Sequence, residues 1–246
     1  MKNMSLLTLA GLSLTACVSS GYPTSTPHEL ANTDSTLTNQ SIITNDPEVT
    51  EYPVESVMIH LLEDYDADLF SNYAGMPIKL ELETFKRGTA IFEGKSVLSS
   101  EVVTDFNLDG EYVITTNIQN FYSLNPLIFH GDLLEDGTYT VAKQLSKIPK
   151  QAKVGDSNTF SQQITYADSN KAQQVSSTVL AWSLNTATDS TAWLCMTAKS
   201  QAISFDYDYS GSECYEITQA GEILRGKIAT PSAFDEGKSM MQFITK

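Results

Sequence analysis

The sequence predicts a mainly β protein: an antiparallel meander, sandwich or partly closed barrel preceded by one short helix. Three observations carry this. From residue 77 onward apolar and polar residues alternate, as in Ile78-Lys79-Leu80-Glu81-Leu82-Glu83, the period of a half-buried strand. Gly-containing turn signals recur between the runs, at Arg87-Gly88, Asp109-Gly110, Asp136-Gly137 and Ala220-Gly221. Upstream, Val54, Val57, Met58, Leu61 and Leu62 recur instead at helical spacing, with acids on the other face.

In chain order, the helix is expected over 54–65. Strands follow at 78–83, 89–92, 96–103, 111–118, 127–130, 138–143, 159–166, 175–184, 192–199, 213–218 and 223–228. Asp109-Gly110-Glu111-Tyr112 recurs as Asp136-Gly137-Thr138-Tyr139, two hairpins with the same turn chemistry, since Gly supplies a positive φ. So many strands joined by short turns must close or fold over to deal with their edges. The basic stretch 147–154 interrupts the pattern. The β-rich domain, 54–230, therefore reads either as two halves, 54–146 and 154–230, or as one continuous sheet, with 231–246 as a C-terminal tail.

The first residues have a different character. Lys2 is followed by an uncharged, apolar or small run from Met4 to Ala16, the length of a signal-peptide core and too short to span a bilayer. The run ends in Leu14-Thr15-Ala16-Cys17, which resembles the lipobox of bacterial lipoproteins. The resemblance implies a signal peptide over 1–16 removed by signal peptidase II, a diacylglyceryl group on the Cys17 thiol and an acylated new amino terminus. Two or more acyl chains hold a protein firmly where one does not, at ~0.8 kcal/mol per buried methylene. Val18, where retention at the inner membrane would call for Asp, points to the outer membrane. Residues 17–53, rich in Ser, Thr, Asn and Pro, read as the lipidated terminus and a disordered tether. His28 lies in it. At roughly 5–6 Å × √n, such a tether holds the domain some 30–35 Å from the lipid.

Of the three cysteines, lipidation of Cys17 leaves Cys195 and Cys214, on neighbouring predicted strands. They are expected to form a disulfide across a hairpin with a long tip, 201–212.

Other constellations are incomplete. Asp105, Asn107 and Asp109 begin a D-x-N-x-D-G calcium loop, but its twelfth position is Thr116 where an EF-hand needs Glu. It is a weak metal candidate beside the simpler reading of an Asp-Gly turn. Gly155-Asp156-Ser157 invites comparison with the GDS-type esterases, yet the last histidine is His130 and no Asp-x-x-His follows. The motif reads as a polar turn. His60 reads as a half-buried helix residue. Acids gather at 63–68, and Asp206, Tyr207, Asp208 and Tyr209 alternate as a candidate binding loop. Trp182 and Trp193 read as core residues or as the lining of a pocket.

Fifteen bases against 30 acids give a net charge of −15, which argues against nucleic acid as a partner. No catalytic set and no cofactor motif is complete. The expectation is a lipid-anchored envelope protein, held to the membrane through Cys17, whose non-catalytic β module binds a protein or glycan or serves structurally. The alternatives are a lipid- or lipoprotein-handling half-barrel around an apolar cavity and, with less support, a carboxylate-based hydrolase.

Overall fold

The computed structural model describes residues 50–203, 209–232, 234 and 239–246. Its elements are β1 (Glu51–Tyr52), α1 (Val54–Glu63), β2 (Asp64–Tyr73), β3 (Met76–Phe92), β4 (Lys95–Leu108), β5 (Glu111–Ser123), β6 (Ile128–Leu134) and β7 (Tyr139–Gln144). There follow β8 (Ala152–Lys153), β9 (Ser157–Tyr166), β10 (Gln174–Thr186), β11 (Thr191–Ala202), β12 (Tyr209–Thr218), β13 (Ile223–Pro231) and β14 (Met240–Thr245). Twelve of these strands form one closed antiparallel barrel in the order β10-β11-β12-β13-β14-β2-β3-β4-β5-β6-β7-β9, while β1 and β8 pair separately.

The expected β class and N-terminal helix are both present, and the sheet system closes completely. β9 bonds to both β7 and β10, so the upstream and downstream strands belong to one wall rather than two halves. The segment 231–246 is not a tail, because β14 lies between β13 and β2 and closes the circle. The stretch 147–154 is a strap across the helix. Pro149 accepts a hydrogen bond from the Glu55 amide at 3.1 Å, and Ile148 and Ala152 are buried in the same cluster as α1. Part of the expected tether belongs to the fold: Tyr52 is buried and pairs opposite Ala152.

An eight-stranded barrel can be filled by its own side chains, but a wider one needs additional filling. Here α1 supplies it. Val54, Val57, Met58, Leu61 and Leu62 are buried and pack with the inward residues Leu180, Trp182, Leu184, Leu194, Met196 and Tyr215. The helix starts after Pro53 and stops at Asp64, whose amide bonds to the His60 carbonyl as the chain turns into β2. A second apolar cluster gathers Leu69, Leu80, Val102, Ile118, Met241 and Phe243.

A row of inward residues running across β4, β5, β6, β7, β9 and β10 is polar. Through the register, Ser100 faces Asn120, Asn120 faces Asp132, Asp132 faces Thr140, Thr140 faces Thr165 and Thr165 faces Ser176. All six are buried.

The outward rows of β2, β3 and β4 carry Asp66, Asp68, Lys79, Glu81, Glu83 and Glu101. Charges of this density are excluded from the lipid-facing band of a membrane-spanning barrel. A third, small cluster sits on the outer face, where Phe92 stacks on Phe121 and Tyr139 at centroid distances of 4.4 and 5.2 Å.

Candidate functional site

Among the described residues, β14 borders only part of its neighbours β13 and β2. This strand pairs with β13 from Lys227↔Ile244 to Pro231↔Met240, but meets β2 only at Ile244↔Phe70 and Thr245↔Leu69. Among the described residues, no strand lies between the start of β2 and the start of β13. A cleft of about 520 Å³ lies there, lined by Tyr65, Asp66, Asp68, Leu224, Arg225 and Lys246, among others.

Each wall of the cleft follows from its sequence. β2 alternates Asp64, Asp66 and Asp68 with Tyr65, Ala67 and Leu69, so its acids stand outside and its apolar side chains turn inward. Tyr65 closes the floor. Its ring meets Tyr215 edge-on at 5.4 Å and His60 at 6.3 Å. Burial, with Glu213 and Asp66 nearby, pushes its phenol well above the ordinary tyrosine range. Gly226 keeps the floor level, since a Cβ there would lie 3.4 Å from both Tyr65 Oη and the Tyr215 ring. Its amide donates to Thr245 Oγ1 at 2.9 Å, where the ladder ends.

The cations at the cleft are already engaged. Arg225 Nε bonds Glu216, whose carboxylate is held below its usual range by Thr191 and then Arg225. Lys246 Nζ stands 3.9 Å over the Phe70 ring. Lys79 pairs with Asp68 at 3.0 Å and with Glu81. Asp64, Asp66 and Glu83 have no ion pair among the described residues, and Asp66 and Glu83 are direct cross-strand neighbours. The cleft is therefore acidic on its β2 side.

The sequence-predicted positions fall as follows. Cys195 and Cys214 are directly opposed on β11 and β12 with Cα atoms 4.0 Å apart, and they form the expected disulfide. The hairpin they staple is tighter than expected, because Gln201 and Ser212 are strand residues. Cys17 and His28 lie outside the described residues, as do Asp206, Tyr207 and Asp208. Tyr209 is not on a loop tip: it is a buried residue of β12 opposite Ser200.

Asp105 and Asn107 lie on extended β4, and Asp109 lies in the turn with φ +52°. The extended strand spreads them where a calcium loop would wrap them, and Asp105 already accepts a hydrogen bond from Thr115 Oγ1. Among the described residues no group of three or more His, Cys, Asp and Glu is placed to hold a metal.

Ser157 is an exposed residue at the start of β9. His130 is hydrogen-bonded at Nε2 to Ser123 Oγ at 3.0 Å, and burial with nearby Lys95 lowers its pKa. His60 is exposed, not half-buried. The two tryptophans part company. Trp182 points inward, whereas Trp193 faces outward beneath Arg225 and Lys227, at 5.2 and 4.1 Å from its ring. The apolar space around Trp182, which an acyl chain would require, is filled by the side chains of α1.

Fold and cleft together define a closed antiparallel barrel with one helix packed into its core by its apolar face and a cleft between β2 and β13. Compared with family models, curated proteins and solved structures, the chain has no match.

Proposed function

We propose that this chain is a lipid-anchored cell-envelope protein whose barrel acts, without catalysis, as a binding or structural module in the aqueous phase beside the membrane. The observation that carries the reading is a succession along the chain. An apolar leader ends in Leu14-Thr15-Ala16-Cys17, a stretch with little core-forming material follows, and from Thr50 a barrel begins whose outer rows are charged. Such a barrel needs water around it, and such a leader needs lipid. The acylated Cys17 reconciles the two. Val18 places the protein at the outer membrane under the sorting rule of enteric bacteria.

The test is detergent partitioning and intact mass of the protein expressed from its full sequence. The wild type is expected in the detergent phase with the mass of a chain starting at Cys17 plus its acyl groups. Cys17→Ser is expected in the aqueous phase. A wild-type protein that is aqueous and unacylated overturns the reading.

A further inference from the structure

We propose that the seam between β6 and β7 is a pH-operated gate in the barrel wall: closed while Asp132 is protonated, it opens to water when Asp132 ionises. The gate is a property of the barrel and does not depend on how the chain is anchored.

The wall divides at this seam. β6 and β7 are opposed at Gly131↔Val141, Asp132↔Thr140 and Leu133↔Tyr139, with a further main-chain bond at the turn from the Leu134 amide to the Thr138 carbonyl at 2.9 Å. Beyond Gly131 the two strands part. Ile128 and Phe129 stay paired with β5, and Ala142 to Gln144 stay paired with β9, but not with each other. Asp132 therefore stands one residue from the fork, buried in the inward polar row. A short ladder that ends in a fork opens at less cost than the longer ladders on either side of it.

Ionisation supplies the force. A carboxylate enclosed without a cation has to be hydrated or neutralised. The cross-strand partners of Asp132 are Asn120 and Thr140, and neither carries a charge. Burial, opposed by the Thr140 hydroxyl, moves the titration of Asp132 up to about 7. The Asn120 amide is fully buried, has no hydrogen-bond partner among the described residues and offers entering water a second polar group. The charged and titratable groups around the seam lie off it. Glu135 and Asp136 follow in the turn, and Glu93, Lys95 and Lys171 belong to the hairpin turn and loop beside it. His130, held below the ordinary histidine range by burial and then Lys95, is already neutral where Asp132 titrates.

A strap crosses the outer side. Phe92, at the end of β3, stacks on Phe121 of β5 and Tyr139 of β7 and reaches over Gly131, where a Cβ would come within 2.8 Å of its ring. Glu93 accepts hydrogen bonds from Tyr139 Oη at 2.8 Å and Lys171 Nζ at 2.6 Å, and Lys171 and then Tyr139 hold its carboxylate below the usual range. Glu93 is thus ionised wherever Asp132 titrates. The strap grips on both sides of the transition, and Asp132 is the sensor.

The test is hydrogen exchange of the full-length protein at pH 5.5 and 8, each rate divided by that of the unstructured chain at the same pH. Amides of 128–134 and 139–144 are expected to exchange at least about tenfold faster at pH 8 on this scale, because opening releases a carboxyl to its ordinary range. Amides of 178–184 and 193–199, on the far ladder, should change much less. Asp132→Asn should abolish the pH effect at the seam. Glu93→Gln should speed seam exchange at both pH values and leave its pH dependence in place. Equal protection of the seam at both pH values, a loss of protection spread evenly over the barrel, or an unchanged pH response in Asp132→Asn overturns the proposal. The first two are read on the wild type alone, so the test does not depend on a variant that folds.

Discussion

Asn120 and Asp132 face each other across the β5–β6 pair inside the barrel, and neither side-chain polar atom of Asn120 has a hydrogen-bond partner among the described residues. Thr140 stands on the far side of Asp132 and favours its ionised form, but burial dominates and pushes the carboxyl up to about 7. Buried polar groups left in this state oppose folding. The interior of this barrel therefore contains a pH-dependent deficit.

Its sign follows from the direction of the shift. Below about pH 4 the carboxyl is protonated in both folded and unfolded chains, and the group costs nothing by linkage. Between that point and pH 7 the unfolded chain releases a proton that the folded one keeps, so stability falls as pH rises. Above it the deficit is constant, on the order of 4 kcal/mol. Asp132→Asn is expected to flatten this slope and to raise stability at pH 8 by more than about 1 kcal/mol. Urea unfolding at pH 4.5, 6 and 8 measures both. An unchanged slope in the variant would show that another group titrates.

The disulfide joins outward positions of β11 and β12, away from the packed interior. Replacing both Cys195 and Cys214 by Ser should therefore leave the far-ultraviolet spectrum intact. It should lower the unfolding free energy by about 3 kcal/mol, the loop-entropy expectation for a closure of this size. A loss smaller than about 0.5 kcal/mol in denaturant titration would assign the bridge no stabilising role.

Gly131 and Gly137 make a matched pair. A Cβ on Gly131 would lie 1.9 Å from the Thr140 carbonyl oxygen and 2.8 Å from the Phe92 ring, and φ there is +146°. At Gly137, with φ +91°, a Cβ meets nothing within 4 Å. Gly137→Ala should cost only the backbone term, about 1 kcal/mol. Gly131→Ala should cost at least about 3 kcal/mol, because main chain must move. Thermal unfolding of the two variants ranks them, and similar melting temperatures would refute the close approach of β6 and β7.

Met58 is fully buried in the middle of α1, and His60, two residues on, is exposed. Met58→Ala is expected to cost about 2–5 kcal/mol, and His60→Ala less than about 0.5 kcal/mol. A small effect at Met58 would mean that the helix rests on the barrel without filling it.

The β class, the helix and the disulfide were legible because each leaves a local mark. Apolar positions in 54–62 repeat at the helical interval, Ile78 to Glu83 alternate strictly, and the two cysteines sit on adjacent strands. Two barrel strands, β2 and β14, escaped for physical reasons. Asp64-Tyr65-Asp66-Ala67-Asp68-Leu69 has the strand period, but its acids mark a solvated run unless the inward partners are noticed. The chain of β14 is short and follows β13 after a break, so it resembles a terminal appendage.

The cleft was not legible at all, because Tyr65 and Arg225 are brought together only by closure of the ring. Nor was the orientation of Trp193 legible. Its strand is apolar on both faces, with Leu194 and Met196 turned in and Cys195 turned out. Alternation alone cannot choose a side when both are sheltered.

Placing β14 beside β2 also governs when the barrel can close. As the chain emerges from a ribosome, β2 to β13 can pair with their neighbours in order, yet the sheet stays open until Met240–Thr245 arrives. The pairing of Leu69 with Thr245 joins residues far apart in the chain. Pairings this remote are slow to form. A chain clipped before β14 would carry two bare strand edges, on β13 and on β2, open to pairing with another chain.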